Sequence, residues 1–252
     1  NKKQIKRFNL EGIFRPSWNP HNNQIAFIGN NGFASDLYVY DIDTDVLINH
    51  TNDWYTDDQV SWDEIGENLL FVSNRGSDLN INQQLVNDMT KPSYEQTDVY
   101  RFNINSQSIE RLTNTDVNES YPFYSNSKNM LGYISDKNGI NNIYLKLDSH
   151  IDEIPITNVL TGITQLSWNS KTNQLIFTGF NNSGYDIFTI YKPTEYINKN
   201  IELVDANWKL KSGEITDVQF RKFLNTRPGF VGPLKHEGIP LRYERYKPNN
   251  LP

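Results

Sequence analysis

The carboxylates at positions 41, 43 and 45 are the first side chains whose type and spacing could do chemistry. Asp41-x-Asp43-x-Asp45 is how a calcium-binding loop begins, because alternate oxygen ligands can surround one cation. The rest of that pattern fails, since the sixth position is Val46 instead of glycine and the twelfth is Asn52 instead of glutamate. The spacing therefore predicts an Asp-rich turn that binds its own backbone, and it predicts no metal site.

The familiar catalytic motifs are missing from the sequence. It contains neither Gly-x-Ser-x-Gly, which presents a serine nucleophile, nor His-Glu-x-x-His, which binds zinc. Because it has no cysteine, disulfides, thiolate ligands and a cysteine nucleophile are excluded. Three of its four histidines fall in turns or strand ends, where we expect solvated side chains: His21, His50 and His150. We therefore predict no catalytic residue, no cofactor and no enzymatic activity.

Charge and hydropathy narrow the classes of partner. The 252 residues carry a formal net charge of −6, which disfavours a nucleic-acid partner. No run of about 18 apolar residues is present, so no segment is predicted to span a membrane as a helix. Residues 1–193 carry 14 Lys and Arg against 23 Asp and Glu, whereas residues 194–252 carry 10 against 7. This change of sign indicates a boundary near Pro193.

An internal repeat dominates the first 193 residues. Trp18 and Trp62 are 44 residues apart, and Tyr124 and Trp168 are again 44 residues apart. Each unit contains four short runs of β-branched and aromatic residues between turn residues, as in Gln24-Ile-Ala-Phe-Ile-Gly29. A period near 44 with four strands in each unit is typical of a β-propeller blade. We predict an all-β fold with about four blades of four antiparallel strands, in which the tryptophans are buried at equivalent places.

One polar position recurs just before the third run of each unit. It is occupied by an acid in three copies and by an amide in the other: Asp36, Asp98, Asn142 and Asp186. An amide in one copy argues against an anionic ligand, so we interpret this position as structural.

The predicted blades have the boundaries 14–53, 54–114, 115–158 and 159–193. Residues 1–13 are interpreted as the end of a preceding blade, with a strand at Lys2–Leu10, and an insertion is predicted at Ser77–Gln96. Residues 194–252 are interpreted as an irregular linker or strap with one strand within Ile201–Leu210 and one short helix at Glu214–Leu224.

Together these motifs resemble a known family. Pro-x-Trp, a tight turn, Ile-Ala-Phe, Asp-Ile-Tyr and Leu-Thr are similar to the TolB-like propeller repeat of bacterial cell-envelope proteins, over about residues 2–193. The resemblance implies an excerpt of a longer protein with four blades of a six-bladed ring, located in the periplasm or envelope. It also implies that this chain is attached to other envelope domains and does not itself span a membrane.

Loops that share one face of such a fold suggest where a partner would bind. Asp57, Asp58 and Glu119 are predicted to make this face acidic and to bind a protein or peptide partner. The leading hypothesis is a non-enzymatic interaction scaffold of the bacterial envelope. The alternatives are a substrate-gating propeller of a peptidase whose catalytic domain is not in this chain, and polysaccharide recognition by exposed aromatic side chains.

Overall fold

The structure is a computed structural model that describes residues 6–81, 96–150, 152–181 and 183–206, and the backbone of 244–245. In these ranges sixteen strands form four antiparallel four-stranded sheets, which are blades of a β-propeller fold. The predicted fold class is therefore confirmed. The chain divides into two compact units, Asn1–Ser127 and Lys128–Pro252, which are described in turn.

The first unit contains two complete sheets in which neighbouring strands follow one another along the chain. Sheet 1 consists of β1 (Gly12–Trp18), β2 (Gln24–Asn30), β3 (Ser35–Asp41) and β4 (Val46–Asn49). Sheet 2 consists of β5 (Asp57–Trp62), β6 (Asn68–Ser73), β7 (Asp98–Asn103) and β8 (Ser108–Arg111). The unit also holds β9 (Glu119–Ser125), the first strand of sheet 3.

The second unit supplies the remaining strands. Sheet 3 is completed by β10 (Met130–Ser135), β11 (Asn142–Leu147) and β12 (Ile154–Pro155). Sheet 4 consists of β13 (Ile163–Asn169), β14 (Gln174–Asn181), β15 (Gly184–Tyr191) and β16 (Glu244–Arg245). A 3-10 helix at Pro193–Lys199 follows β15, with a proline at its start where no N–H partner is needed.

The tail differs in part from its prediction. No strand forms in residues 201–206, the described part of the expected strand, and the expected helix at 214–224 lies outside the described residues. Instead, Asn138 donates its side-chain amide to the Val204 carbonyl at 2.8 Å, and Asn158 donates to the Glu202 carbonyl at 3.1 Å. The outermost strand of sheet 4 comes from Glu244–Arg245, which pairs with β15.

The core of the first unit forms where two sheets bury opposite kinds of face. Alternate residues of a strand point to opposite sides, so each sheet here has one aliphatic and one aromatic face. The aliphatic face of sheet 1 packs against the aromatic face of sheet 2. The aliphatic face comprises Ala26, Ile28, Leu37 and Val39, and the aromatic face comprises Trp62, Leu69, Phe71, Tyr100 and Phe102. Because both faces are apolar, neither sheet could be stable alone in water.

The aromatic face of sheet 1 is covered by the N-terminal segment. Phe8 packs against Phe27 and Tyr40, with ring centroids 5.7 and 5.0 Å apart, and Leu10 joins the same cluster. Residues 6–10 are not a strand, so the predicted strand at Lys2–Leu10 is wrong over its described part. Hydrophobic side chains and the ion pair of Lys6 with Asp45 hold this segment to the sheet, without strand pairing over residues 6–10.

The four ring positions of the repeat are not equally buried. Trp62 is 8% exposed and donates its indole N–H to the Ser17 carbonyl at 3.2 Å, and Tyr124 is also buried. Trp18 is 58% exposed and Trp168 is half-buried, so the expectation of equal burial is wrong for these two. The ring of Trp62 is covered because sheet 1 lies beside it. Among the described residues, the aromatic face of sheet 1 is covered by the segment that holds Phe8 and Leu10.

Trp62→Ala and Trp18→Ala should therefore differ strongly. We expect Trp62→Ala to lower the free energy of unfolding by roughly 3–5 kcal/mol, because it leaves a cavity between two sheets. Trp18→Ala should lower it by about 1 kcal/mol or less. Urea titration followed by circular dichroism measures both, and equal losses would contradict the burial described here.

Candidate functional site

Two of the three carboxylates predicted to bind a partner lie in the interior. Asp57 begins β5 and Glu119 begins β9, and each is only 1% exposed. Asp58, one position further along β5, is half-exposed, and its Oδ1 lies 3.9 Å from Nε of Arg15. The expectation of an exposed acidic face is thus wrong for Asp57 and Glu119, while partner binding through Asp58 stays a prediction.

A threonine in each of the first three repeats explains why these acids are buried. Thr51 Oγ1 accepts the N–H of Leu37 and donates to Asp57 Oδ2, at 2.8 and 2.5 Å. Thr113 Oγ1 likewise donates to Glu119 Oε2 at 3.1 Å, six positions further along the chain. The backbone bond recurs at 2.8 Å between Val99 and Thr113 and between Ile143 and Thr157. Each threonine thus joins the third strand of its own sheet, and the first two also hold the start of the next sheet.

The third copy departs from this scheme in an informative way. Six positions after Thr157 the chain has Ile163, which cannot accept a hydrogen bond. Thr157 Oγ1 donates instead to Asn142 Oδ1 at 3.0 Å. A threonine followed six residues later by Asp or Glu is the sequence signal that could have identified Asp57 and Glu119 as interior residues.

A fully buried arginine neutralises the acids beneath the loops of sheets 1 and 2. Arg75 donates from Nη1 to Asp53 Oδ2 at 2.9 Å and from Nη2 to Asp57 Oδ1 at 2.7 Å. Its guanidinium carbon also lies 5.4 Å from the ring centroid of Tyr55 and 5.7 Å from that of Tyr100. Burial raises the pKa of the Asp53 carboxyl, and contact with Arg75 opposes the rise. No local pattern in the sequence indicates that this arginine is buried, so it was not among the predicted site residues.

The recurrent polar position before the third run has a structural role in each sheet. Asp36 Oδ2 accepts from Asn49 at 2.9 Å, and Asp98 Oδ2 accepts from Arg111 at 2.6 Å. Asp186 Oδ2 accepts from the Asn181 amide at 2.8 Å. Burial raises the pKa of Asp36 to about 6, although the hydrogen bond from Asn49 opposes the rise. Within the described residues, Oδ1 of Asp36 is buried without a hydrogen-bond partner.

The Asp-rich turn binds protein groups instead of forming a cation cage. Asp41 Oδ1 accepts from the backbone N–H and the hydroxyl of Thr44 at 2.9 and 2.8 Å. Asp45 accepts from the Tyr40 hydroxyl at 2.7 Å and from Lys6. In the part of the chain that the structure describes, no group of three or more His, Cys, Asp or Glu is arranged to hold a metal ion.

One histidine is not solvated as expected. His50 is buried, with its ring 5.0 Å from the ring of Phe102 and its Nδ1 3.3 Å from Gln107 Oε1. Burial lowers the pKa of His50, and the contact with Gln107 opposes this. His21 and His150 are exposed, as expected.

The first strands of three successive sheets share a strained bulge, which forms the candidate site. Arg15, Gln59 and Tyr121 each lie three residues before the repeat's aromatic position, and their φ angles are 52°, 58° and 51°. The pairing register of β1 and of β5 slips at this point. Left-handed backbone at non-glycine residues is unfavourable and clusters at functional sites.

The bulges bring two charges, an amide and a ring together. The guanidinium of Arg15 lies 5.2 Å from the ring centroid of Tyr121, and Asp58 is its nearest carboxylate. Gln59 Oε1 accepts the backbone N–H of Tyr121 at 2.5 Å, which fixes the two strands against each other. Since Arg15 is exposed and Asp58 half-exposed, the cluster can bind both a cationic and an anionic group of a partner.

Among the described residues, the loops that follow β2, β4 and β6 expose apolar side chains. They are Phe33 at 90%, Trp54 at 47% and Leu79 at 44%. A parallel bridge joins Ser35, the first residue of β3, to Thr56 at the end of the loop that follows β4. Most of the predicted insertion, residues 82–95, lies outside the described residues.

Comparison with known proteins supports the fold. No family model matches the chain, and no curated protein matches it. Among solved structures it is similar to TolB from Acinetobacter baumannii, with a TM-score of 0.54 and 16% identity over 75% of this chain and 42% of that one. It is also similar to a puromycin-hydrolyzing peptidase from Mycobacterium tuberculosis, with a TM-score of 0.52 and 10% identity over 73% of this chain and 28% of that one.

A structure of a nidogen/laminin complex gives a TM-score of 0.53 with 6% identity, over 72% of this chain and 61% of that one. At such identities the likeness concerns the fold alone. The resemblance to the TolB-like propeller is confirmed at that level, and this chain spans less than half of the TolB chain it matches. No helix among the described residues is long and apolar enough to cross a membrane.

Replacing the buried arginine should strongly destabilise the first unit. Arg75→Met would leave Asp53 and Asp57 as unpaired buried acids, so we expect the free energy of unfolding to fall by about 3–5 kcal/mol. Lys137→Met, which breaks the pair of the exposed Lys137 with the partly buried Glu153, should cost under about 1 kcal/mol, because Glu153 still reaches solvent. Urea titration of both variants tests this, and similar losses would contradict the interior role of Arg75.

The raised pKa of Asp36 predicts a pH-dependent stability. Between about pH 4 and 6 the folded chain holds a proton that the unfolded chain has lost, so stability falls as pH rises through this window. Asp36→Asn should remove that penalty and stabilise the protein at pH 7.5 by up to about 3 kcal/mol, with little effect at pH 4.

The third repeat offers a reciprocal control for this experiment. Asn142 donates its amide to Asn138 Oδ1 at 3.2 Å, so Asn142→Asp should destabilise the protein at pH 7.5 more than at pH 4. Thermal melts at the two pH values measure both variants. A destabilised Asp36→Asn at pH 7.5 would show that the ionised carboxylate is needed.

Proposed function

We propose that this chain is a non-enzymatic propeller scaffold that binds a protein or peptide segment in the bacterial envelope. The observation that carries the proposal is the cluster on the bulged first strands, where Arg15, Asp58, Gln59 and Tyr121 meet at the surface. The cluster suits a peptide that carries both a basic and an acidic side chain, because Asp58 can pair with the first and Arg15 with the second. The resemblance to TolB supports the proposed envelope location.

The buried groups around the cluster support a binding role over a catalytic one. The buried His50 packs against Phe102. The buried acids Asp53, Asp57 and Glu119 are held by Arg75 or by threonines. These groups fix the loops and strands, and they leave the half-exposed pair of Arg15 and Asp58 for recognition. A pre-organised surface of this kind binds without a large loss of conformational entropy.

A substrate-gating propeller of a peptidase is the second candidate. It is favoured by the fold shared with the puromycin-hydrolyzing peptidase, of which this chain matches 28%. In that case the same cluster would select peptides on their way to a catalytic domain. The hydrolysis rates of long and short peptides by the full-length protein distinguish the two candidate functions. If the propeller gates substrates, Asp58→Lys should change the ratio of these two rates.

Reversal of one charge in the cluster tests the binding proposal. A partner recovered from an envelope extract should bind Asp58→Lys at least tenfold more weakly, about 1.4 kcal/mol, because Arg15 then repels the new lysine. Its affinity for the parent chain should also weaken with added salt. Surface plasmon resonance measures both effects.

Asp152→Lys is the matched control, since Asp152 is exposed and lies in the second unit. It should bind as the parent does, and both variants should keep the parent's melting temperature. If Asp58→Lys binds like the control, the cluster is not the docking site.

A further inference from the structure

The loop edge of sheet 3 holds an extended segment of the chain through hydrogen bonds. This resident segment, residues 201–206, lies just after the 3-10 helix, and among the described residues it pairs with no sheet. The side-chain amide of Asn158 donates to the Glu202 carbonyl at 3.1 Å. The side-chain amide of Asn138 donates to the Val204 carbonyl at 2.8 Å. Both acceptors are main-chain atoms, two residues apart.

Asn138 contacts the resident segment twice, much as one strand contacts its neighbour. Besides its bond to the Val204 carbonyl, its own backbone carbonyl accepts the N–H of Ala206 at 2.7 Å. A carbonyl and an N–H two residues apart are what an extended strand presents along one edge, and peptides that add a strand to a sheet bind through such groups. Because every residue except proline carries both groups, these contacts recognise an extended main chain instead of one sequence.

The sheet itself fixes the amide that binds the resident segment. Asn142 donates to Asn138 Oδ1 at 3.2 Å, which leaves the Asn138 amide to donate to the segment. Asn142 Oδ1 accepts from the Thr157 hydroxyl and from the Val159 N–H, each at 3.0 Å. An ionised aspartate, the residue at this position in the other sheets, could not donate to Asn138. The third repeat therefore has an amide where this edge needs a donor.

The side chains of the resident segment make a smaller contribution than its main chain. Three of them are exposed: Glu202, Val204 and Asp205. Two are half-buried and one is buried: Ile201, Leu203 and Ala206 respectively. The edge thus accommodates apolar side chains at two alternate positions and a small side chain at the last, whereas the positions between them are not selected.

We propose that the loop edge of sheet 3, formed by Asn138, Asn142 and Asn158, binds an extended peptide segment of a partner protein, which displaces the resident segment. The partner segment carries apolar side chains at two alternate positions and a small residue other than proline three positions after the second. A preformed edge binds either segment through the same main-chain groups. This inference does not rest on the proposed function, because its residues lie in the second unit and the cluster lies in the first.

Loosening the resident segment should open the edge to a peptide supplied in solution. Ala206→Pro removes the N–H that Asn138 accepts while keeping an extended backbone. The probe is a synthetic peptide of residues 200–206, and nuclear magnetic resonance of the Asn138 and Asn158 side-chain amides follows its binding. It should bind Ala206→Pro at least about tenfold more tightly than the parent, where the tethered segment competes at millimolar effective concentration. Equal binding to both, or to neither at millimolar peptide, would overturn the proposal.

Two altered peptides test which groups the edge recognises. Serine in place of Glu202 and Val204 should leave binding to Ala206→Pro unchanged, because those side chains are exposed. N-methylation of the alanine should weaken it about fivefold, the loss of one hydrogen bond. If the serine peptide binds as weakly as the methylated one, the edge recognises side chains and the proposal is wrong.

A matched pair of variants tests the edge itself. In the Ala206→Pro chain, Asn138→Ala should abolish peptide binding, whereas Asn141→Ala should not change it, because Asn141 lies in the same loop with an exposed side chain. Melting temperatures show whether both variants fold. If Asn138→Ala does not fold, Asn158→Ala makes the same test from another loop. Equal binding by the edge variant and Asn141→Ala would place the peptide elsewhere and overturn the proposal.

Discussion

Each sheet of this protein is apolar on both faces, and its fold depends on covering both. A sheet with an aliphatic and an aromatic face cannot leave either in water without a large loss of hydrophobic stabilisation. In the first unit the two kinds of face meet, and Trp62 closes the contact with a hydrogen bond to β1. The short segment with Phe8 and Leu10 is held to sheet 1 by the same requirement, because it covers an aromatic face.

Buried polar groups then decide how neighbouring sheets are joined. Burying a carboxylate is costly unless it is hydrogen-bonded or paired, so the acids at the starts of β5 and β9 have partners that recur through the repeat. A threonine holds Asp57 and another holds Glu119, and Arg75 neutralises the extra charge in the first unit. Charged residues of this kind often form functional sites. Here their hydrogen bonds and ion pairs are made inside the protein, so they hold the strands and loops that carry the exposed residues.

The strained bulges of the first strands are where structure and proposed function meet. Regular strands would keep β1 and β5 in register, yet both slip at the same place in the repeat, with left-handed backbone at Arg15 and Gln59. Packing on both faces of each sheet can hold such strain, because the surrounding core fixes the strands. The bulges leave Arg15 and Asp58 at the surface, which is why we propose this cluster, and not the buried acids, as the docking site.

The sequence by itself determined the repeat, the all-β class, the strands of sheets 1 to 3 and the first three strands of sheet 4, because a period near 44 and alternating apolar residues are local patterns. It also indicated that the turn at Asp41 binds its own backbone. It could not determine that Asp57 and Glu119 are buried, that Arg75 neutralises them or that Trp18 is exposed. Burial depends on which sheet lies against a residue, and in this chain those neighbours come from distant parts of the sequence. The tertiary structure therefore decided that Asp57 and Glu119 support the fold, whereas Asp58 stays half-exposed at the surface.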